Sequence, residues 1–171
     1  MENLYLFRNR LTSTLPIGVD RIPKSLKDIQ IQENFLTGEI PSEIGGLSLL
    51  SIMDLKDNGF SGSLRTEIGL LKKLEILYLS SNAFSGPIPS EFGQLEGLVY
   101  FNVSGNSMTG AIPAELEQLT ALQELGITMN NFTAQEIPAG ICDLDELASF
   151  EFDCSATLCG CDCDCSSFTT T

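Results

Sequence analysis

The chain has 171 residues, with nine Lys plus Arg against 23 Asp plus Glu, no histidine, a formal net charge of −14 and a pI near 4.1. That surplus of acid repels the phosphates of nucleic acids and of anionic membrane surfaces. The absence of histidine removes the usual base from serine and cysteine triads, and no apolar run approaches the roughly 18 residues of a membrane-spanning helix.

Periodicity begins at once. Leu4, Leu6 and Asn9 open a frame that returns at Asn34, Asn58, Asn82, Asn106 and Asn130, every 24 or 25 residues. Its fullest forms are Leu74, Leu77, Leu79, Asn82, Phe84 and Leu122, Leu125, Ile127, Asn130, Phe132. A period of this length specifies a solenoid. In Leu77-Tyr78-Leu79 the apolar residues alternate, so the leucines share one face of a short strand and Tyr78 occupies the other. A strand this short cannot bury its apolar face alone, but stacked coils share a continuous core. Each asparagine follows the strand where the coil turns, and a buried amide there can satisfy backbone groups that lack a ladder partner. The asparagines are therefore expected to be structural. Phe60, Phe84 and Phe132 fall in one column and predict an aromatic spine.

A second signature follows each asparagine: Leu36-Thr-Gly38-Glu-Ile40-Pro41, Phe84-Ser-Gly86-Pro-Ile88-Pro89 and Met108-Thr-Gly110-Ala-Ile112-Pro113. With these residues the chain resembles the plant-type leucine-rich repeat, over residues 1 to about 150. The resemblance implies an α/β solenoid, a right-handed superhelix with a parallel concave β-sheet and an irregular or 3-10 convex side. It divides the chain into about six full repeats plus a degenerate one over 1–153 and a cysteine-rich cap or tail over 154–171. Departures are local: Ser13 and Ala134 stand where the glycine is expected, Arg65 where the proline is, and one extra residue lies in each of the stretches 16–26 and 134–137.

Met1 falls within a coil, without a cap or a signal peptide before it, and the expectation is a truncated N-terminus. At the other end Cys142, Cys154, Cys159, Cys161, Cys163 and Cys165 are candidate disulfide residues, an even count confined to one terminus. Cysteines two apart are poorly placed to pair with each other, and a metal-thiolate cluster is the rival reading. No Cys-x-x-Cys pair exists, so no zinc site is expected. This tail also resembles, loosely, the cysteine-rich caps of algal leucine-rich repeat proteins. Asn102-Val-Ser104 and Asn131-Phe-Thr133 are glycosylation candidates.

Function is expected on the outward strand positions, because the inward ones are committed to packing. From these the partner-binding candidates are Tyr5, Phe7, Gln30, Glu33, Asp54, Lys56, Asp57, Tyr78, Tyr100 and Asn102. All three tyrosines fall on this strip, and tyrosine anchors interfaces. Glu33, Asp54 and Asp57 favour a partner of basic character. Catalysis is not expected, since phosphate-loop and dinucleotide glycine motifs are absent and an open sheet encloses no carboxylate pair. No cofactor is expected. The resemblance implies a non-catalytic, extracellular or cell-surface module binding a protein or peptide, as part of a receptor-like protein or a secreted inhibitor of wall-degrading enzymes. An ice-binding surface is the alternative from another class, although the outward column Tyr5, Gln30, Asp54, Tyr78, Asn102, Gly126 is too mixed for a regular array.

Overall fold

In the computed structural model, which describes residues 1–15, 23–133 and 137–152, each repeat is one coil of a solenoid. The alternating residues at the start of each coil form a strand, and these stack in parallel as one seven-stranded sheet: β1 (Asn3–Tyr5), β3 (Asp28–Gln30), β5 (Ile52–Asp54), β7 (Ile76–Tyr78), β9 (Tyr100–Asn102), β11 (Glu124–Gly126) and β13 (Ser149–Glu151). The register is uniform. Leu4, Ile29, Met53, Leu77, Phe101, Leu125 and Phe150 are paired neighbours in one central row. That row points inward, and its members from Ile29 to Leu125 are fully buried.

After the asparagine the chain becomes extended again. Thr12–Ser13 (β2), Phe35–Gly38 (β4), Gly59–Ser63 (β6), Ala83–Gly86 (β8), Ser107–Gly110 (β10) and Asn131–Phe132 (β12) form a second, six-stranded parallel sheet. The sequence expectation was an irregular continuation here, so this second sheet is an addition to it. Extended Pro41, Pro89 and Pro113 then lead into 3-10 turns at Ser42–Gly46, Ser90–Gln94 and Ala114–Gln118. Arg65 does the same work before Thr66–Leu70 with φ −82° and ψ 133°. Its Nε donates to Ile40 O at 3.0 Å and its guanidinium pairs with Glu39, which compensates for the missing ring.

From Asn34 to Asn130 the asparagines are structural, as expected, whereas Asn9 is exposed and donates to Leu6 O and Phe7 O of its own coil. Asn82 Nδ2 donates to Leu79 O and Ser80 O of its own coil and to Leu55 O of the preceding coil, and its Oδ1 accepts from Phe60 N at 2.9 Å. Asn34, Asn58, Asn106 and Asn130 repeat this arrangement. The residue before each asparagine turns the chain through a left-handed conformation, with φ between 54° and 68° at Arg8, Glu33, Asp57, Ser81, Gly105 and Met129. The aromatic spine is shorter than expected. Phe60 and Phe84 stack with ring centroids 6.3 Å apart, but Met108 follows them in the column and Phe132 is only half buried.

Cys142 ends a four-residue helix, Ala139–Cys142, and is disulfide-bonded. Cys154, Cys159, Cys161, Cys163 and Cys165 lie outside the described residues, as does the whole 154–171 segment. Ala134 also lies outside them. Ser13 carries a φ of 91°, in the column where Gly38, Gly62, Gly86 and Gly110 have φ between 75° and 85°.

Candidate recognition face

Two rows of side chains flank the buried central row on the open side of the seven-stranded sheet. One runs Tyr5, Gln30, Asp54, Tyr78, Asn102, Gly126, and the other runs Asn3, Asp28, Ile52, Ile76, Tyr100, Glu124. At the centre, Tyr78 and Tyr100 lie 6.5 Å apart, tilted by 51°, with Lys56 Nζ 5.9 Å from the Tyr78 ring centroid. That cation lies within reach of the ring's negative face. Burial raises the Tyr78 phenol above its ordinary pKa, so it remains a neutral hydrogen-bond donor.

Beside the tyrosines, Ile52 and Ile76 are half buried on the same face. They were not among the sequence candidates. The signal was present, since a residue two before Tyr78 in a strand must share its side of the sheet. Together Ile76, Tyr78 and Tyr100 make an apolar centre of the kind that carries interface energy.

The acidic candidates separate into two groups. Asp54 is 7% exposed and accepts a hydrogen bond from Lys56 N at 3.1 Å. Burial holds its carboxyl above the usual range; the Lys56 hydrogen bond and charge oppose this, while Asp57 and Glu33 add to it. Glu33 and Asp57 instead sit exposed on the left-handed turns at the strands' C-terminal ends. Glu33 forms an ion pair with Arg8 at 3.0 Å. Asp28, like Asp54, is nearly enclosed, accepting from Tyr5 Oη at 2.6 Å and from Gln30 Nε2 at 3.2 Å. That hydrogen bond to a carboxylate raises the Tyr5 phenol. Tyr5 and Phe7 lie in the first coil, 50% and 44% exposed.

The buried charge at Asp54 gives a signed prediction. A carboxyl whose folded pKa is raised stabilises the fold fully below its unfolded pKa and loses that contribution as pH rises through the folded value. Asp54→Asn keeps an Oδ1 acceptor for Lys56 N but carries no charge. It should therefore melt above the wild type at pH 7, with the gap closing as pH falls through the carboxylate range. Paired thermal melts at neutral and acid pH measure this, and a variant that melts lower at pH 7 contradicts it.

Asn102 is half buried. Its Oδ1 accepts from Ser104 N at 3.0 Å, its Nδ2 donates to Glu124 Oε1 at 3.3 Å, and a Cβ added at Gly126 would lie 2.6 Å from its Cγ. Asn131 is exposed, on β12.

Clefts mark both rims of the face. One of about 480 Å³ lies at the N-terminal ends of the strands, beside Ser51, Glu75 and Val99. The other, about 430 Å³, lies at their C-terminal ends beside Asp57, Gly59 and Ser81, next to Phe35, which is 62% exposed. Phe35 was not singled out from the sequence. Among the described residues no helix is long and apolar enough to cross a membrane.

Family models described as leucine rich repeat match residues 72–132 and 25–47. The chain belongs to the leucine-rich repeat family. Among solved structures, this leucine-rich repeat chain is similar to the plant peptide hormone receptor RGFR1 in complex with RGF2, with 31% identity and a TM-score of 0.81 over 89% of this chain and 24% of that one. It is also similar to the ectodomain of the Arabidopsis receptor kinase HAESA in complex with an IDA peptide hormone ligand, with 34% identity and a TM-score of 0.81 over 89% of this chain and 25% of that one. A chain of the Arabidopsis thaliana BIR3–SERK2 complex matches at 30% identity with a TM-score of 0.61, over 77% of this chain and 67% of that one. The chain thus spans about a quarter of the length of the two peptide-bound receptors. No curated protein matches it.

Proposed function

We propose that this chain is a non-catalytic recognition module that binds an extended peptide, or an extended edge of a protein, along its concave sheet, at the cell surface or outside the cell. The observation that carries this reading is the apolar centre of Ile76, Tyr78 and Tyr100, half buried on the open face of the parallel sheet, with Asp57 exposed at the C-terminal end of the adjoining strand. Seven strands about 4.8 Å apart make a strip roughly 30 Å long, room for a peptide of roughly nine residues at about 3.3 Å each. One of the similar structures is a receptor kinase ectodomain in complex with a peptide hormone ligand and another is a peptide hormone receptor in complex with RGF2, which supports the same class of ligand here. The exposed carboxylates on the rim favour a ligand with a basic residue near its aromatic or apolar anchor. The chain contains no histidine to act as a general base, and the displayed tyrosines and isoleucine are side chains suited to binding.

The test starts from a random peptide library selected on the immobilised chain. For a selected peptide, Tyr78→Ala with Tyr100→Ala should weaken affinity about a hundredfold, the usual scale for two buried aromatic anchors, while the melting curve stays close to wild type. Unchanged affinity in the double variant would remove the concave strip from the binding site.

Two further assignments accompany this reading. We assign the six cysteines to disulfides that close the final coil, supported by the bonded state of Cys142. We place N-linked glycan at Asn131 rather than Asn102, because Asn131 is exposed whereas the Asn102 amide nitrogen is engaged with Glu124 against Gly126.

A further inference from the structure

Every lysine and arginine of this acidic chain lies at or before Lys73; residues 74–171 contain none. Three of these cations converge on one place. Lys27, Lys72 and Lys73 line the cleft of about 480 Å³ at the N-terminal ends of the strands, with Leu49 and Val99 supplying its apolar surface. The repeat explains the convergence. Leu49, Lys73 and Gly97 each immediately precede a buried leucine, Leu50, Leu74 and Leu98, so they occupy the same point of three successive coils. Glycine at the third point leaves the space open: a Cβ added at Gly97 would come no nearer than 3.6 Å to any atom, the Lys72 carbonyl oxygen being closest.

The cations are incompletely neutralised. Lys27 pairs with Glu2 at 2.8 Å. Lys72 Nζ donates to Gln94 O and Oε1 at 2.9 and 3.2 Å, both uncharged acceptors, and among the described residues Lys73 pairs with no carboxylate. Glu75 is the acid on the cleft wall. With Lys27 paired to Glu2, the open cleft still holds Lys72 and Lys73 against the one acid Glu75, an excess of positive charge that in a protein of net charge −14 is a local inversion of the molecule's field. The size is within the range of small-ligand sites and suits one or two side chains rather than a domain.

We infer that this flank cleft binds an acidic peptide segment, its carboxylates on Lys27, Lys72 and Lys73 and an apolar side chain against Leu49 and Val99. The site is separate from the concave strip but adjoins it, since Ser51, Glu75 and Val99 directly precede Ile52, Ile76 and Tyr100. A ligand could carry its anchor onto the strip and its acidic end into the cleft. Either half binds on its own chemistry.

The probe is a fluorescein-labelled blocked peptide, Glu-Glu-Leu-Glu-Glu, with Gln-Gln-Leu-Gln-Gln as its neutral counterpart, titrated by fluorescence anisotropy at low and moderate salt. The acidic peptide should bind, the neutral one should not, and affinity should fall with salt. Lys72→Gln with Lys73→Gln should weaken binding about tenfold and Glu75→Gln should strengthen it about twofold, the scale of part-exposed charge pairs. Gly97→Leu places in the third coil the residue that position 49 already carries in the first, so the coil tolerates it, and it fills the cleft without touching a charge. It should weaken binding as much as the lysine changes do, with melting curves confirming that each variant folds. Tyr78→Ala with Tyr100→Ala should leave this peptide's affinity unchanged, which separates the cleft from the concave strip. The inference is overturned if the acidic peptide does not bind, if the neutral peptide binds equally, or if Gly97→Leu retains full affinity, the last result meaning diffuse attraction to surface lysines.

Discussion

Asn82→Ala is expected to destabilise the fold by about 3 kcal/mol, the sum of one orphaned buried N–H and several weakened carbonyl bonds. The geometry decides how the loss divides. Phe60 N receives its side-chain acceptor from Asn82 Oδ1, and removing it leaves that donor inside the stack. The carbonyls lose less, because Leu55 O also accepts from Asn58, Leu79 O also accepts from Asn106, and Ser80 O also accepts from Asp57 N. Asn82→Asp tests the same account from the other side. It retains an acceptor for Phe60 N but turns an anion toward three carbonyl oxygens, so it should be at least as harmful at neutral pH and partly recover in acid, where a protonated carboxyl can donate. Denaturant unfolding of the two variants measures this, and an alanine variant within about 0.5 kcal/mol of wild type, the range of an ordinary surface change, would show that the ladder is dispensable. Because each coil contacts only its neighbours, the damage should centre on the coils either side of residue 82, visible as faster amide exchange there.

Gly93→Ala is the second large effect, from a different cause. The 3-10 turns of successive coils stack so closely that a Cβ at Gly93 would lie 2.8 Å from the Glu115 carbonyl carbon, with the carbonyl oxygen closer still. Gly69 faces Glu91 in the same way, and Gly45 faces Glu67. A backbone carbonyl cannot swing aside as a side chain can, so the coils must separate, at a cost of about 2 to 4 kcal/mol on the scale of overpacked cores. The molecule contains its own control. A Cβ at Gly46 would meet nothing within 4 Å. Gly46→Ala should be neutral or stabilise by about 0.5 kcal/mol, through the reduced freedom of the unfolded chain. Equal melting temperatures for the two alanine variants would contradict the close-stacking account.

These positions differ in how far they could be read in advance. The asparagine ladder was legible because one local requirement, a turn with unpaired backbone groups after each strand, recurs at a fixed period. The inward rows were legible for the same reason, since alternation within a strand assigns Leu77 and Leu79 to the core without reference to any other coil. Ile52 and Ile76 were missed although the same alternation places them opposite the core, because an isoleucine in a leucine-rich frame reads as packing. The acidic candidates show the opposite limit. Asp54 and Asp57 are three residues apart in sequence and equally polar, yet one is 7% exposed and the other sits on an exposed turn.

By itself, then, the sequence determined that the chain is a leucine-rich solenoid, where each coil turns, and which residues pack, since those depend on contacts repeated every 24 or 25 residues. Only the tertiary structure decided that the Gly-x-Ile-Pro side begins as a second parallel sheet, that Asp28 and Asp54 are enclosed while Glu33 and Asp57 are displayed, and that Lys27 and the Lys72-Lys73 pair meet in one cleft. The physical reason is common to all three. A side chain's exposure and the field around it are set by residues one or two coils away, and a period locates those neighbours but does not fix the space between them.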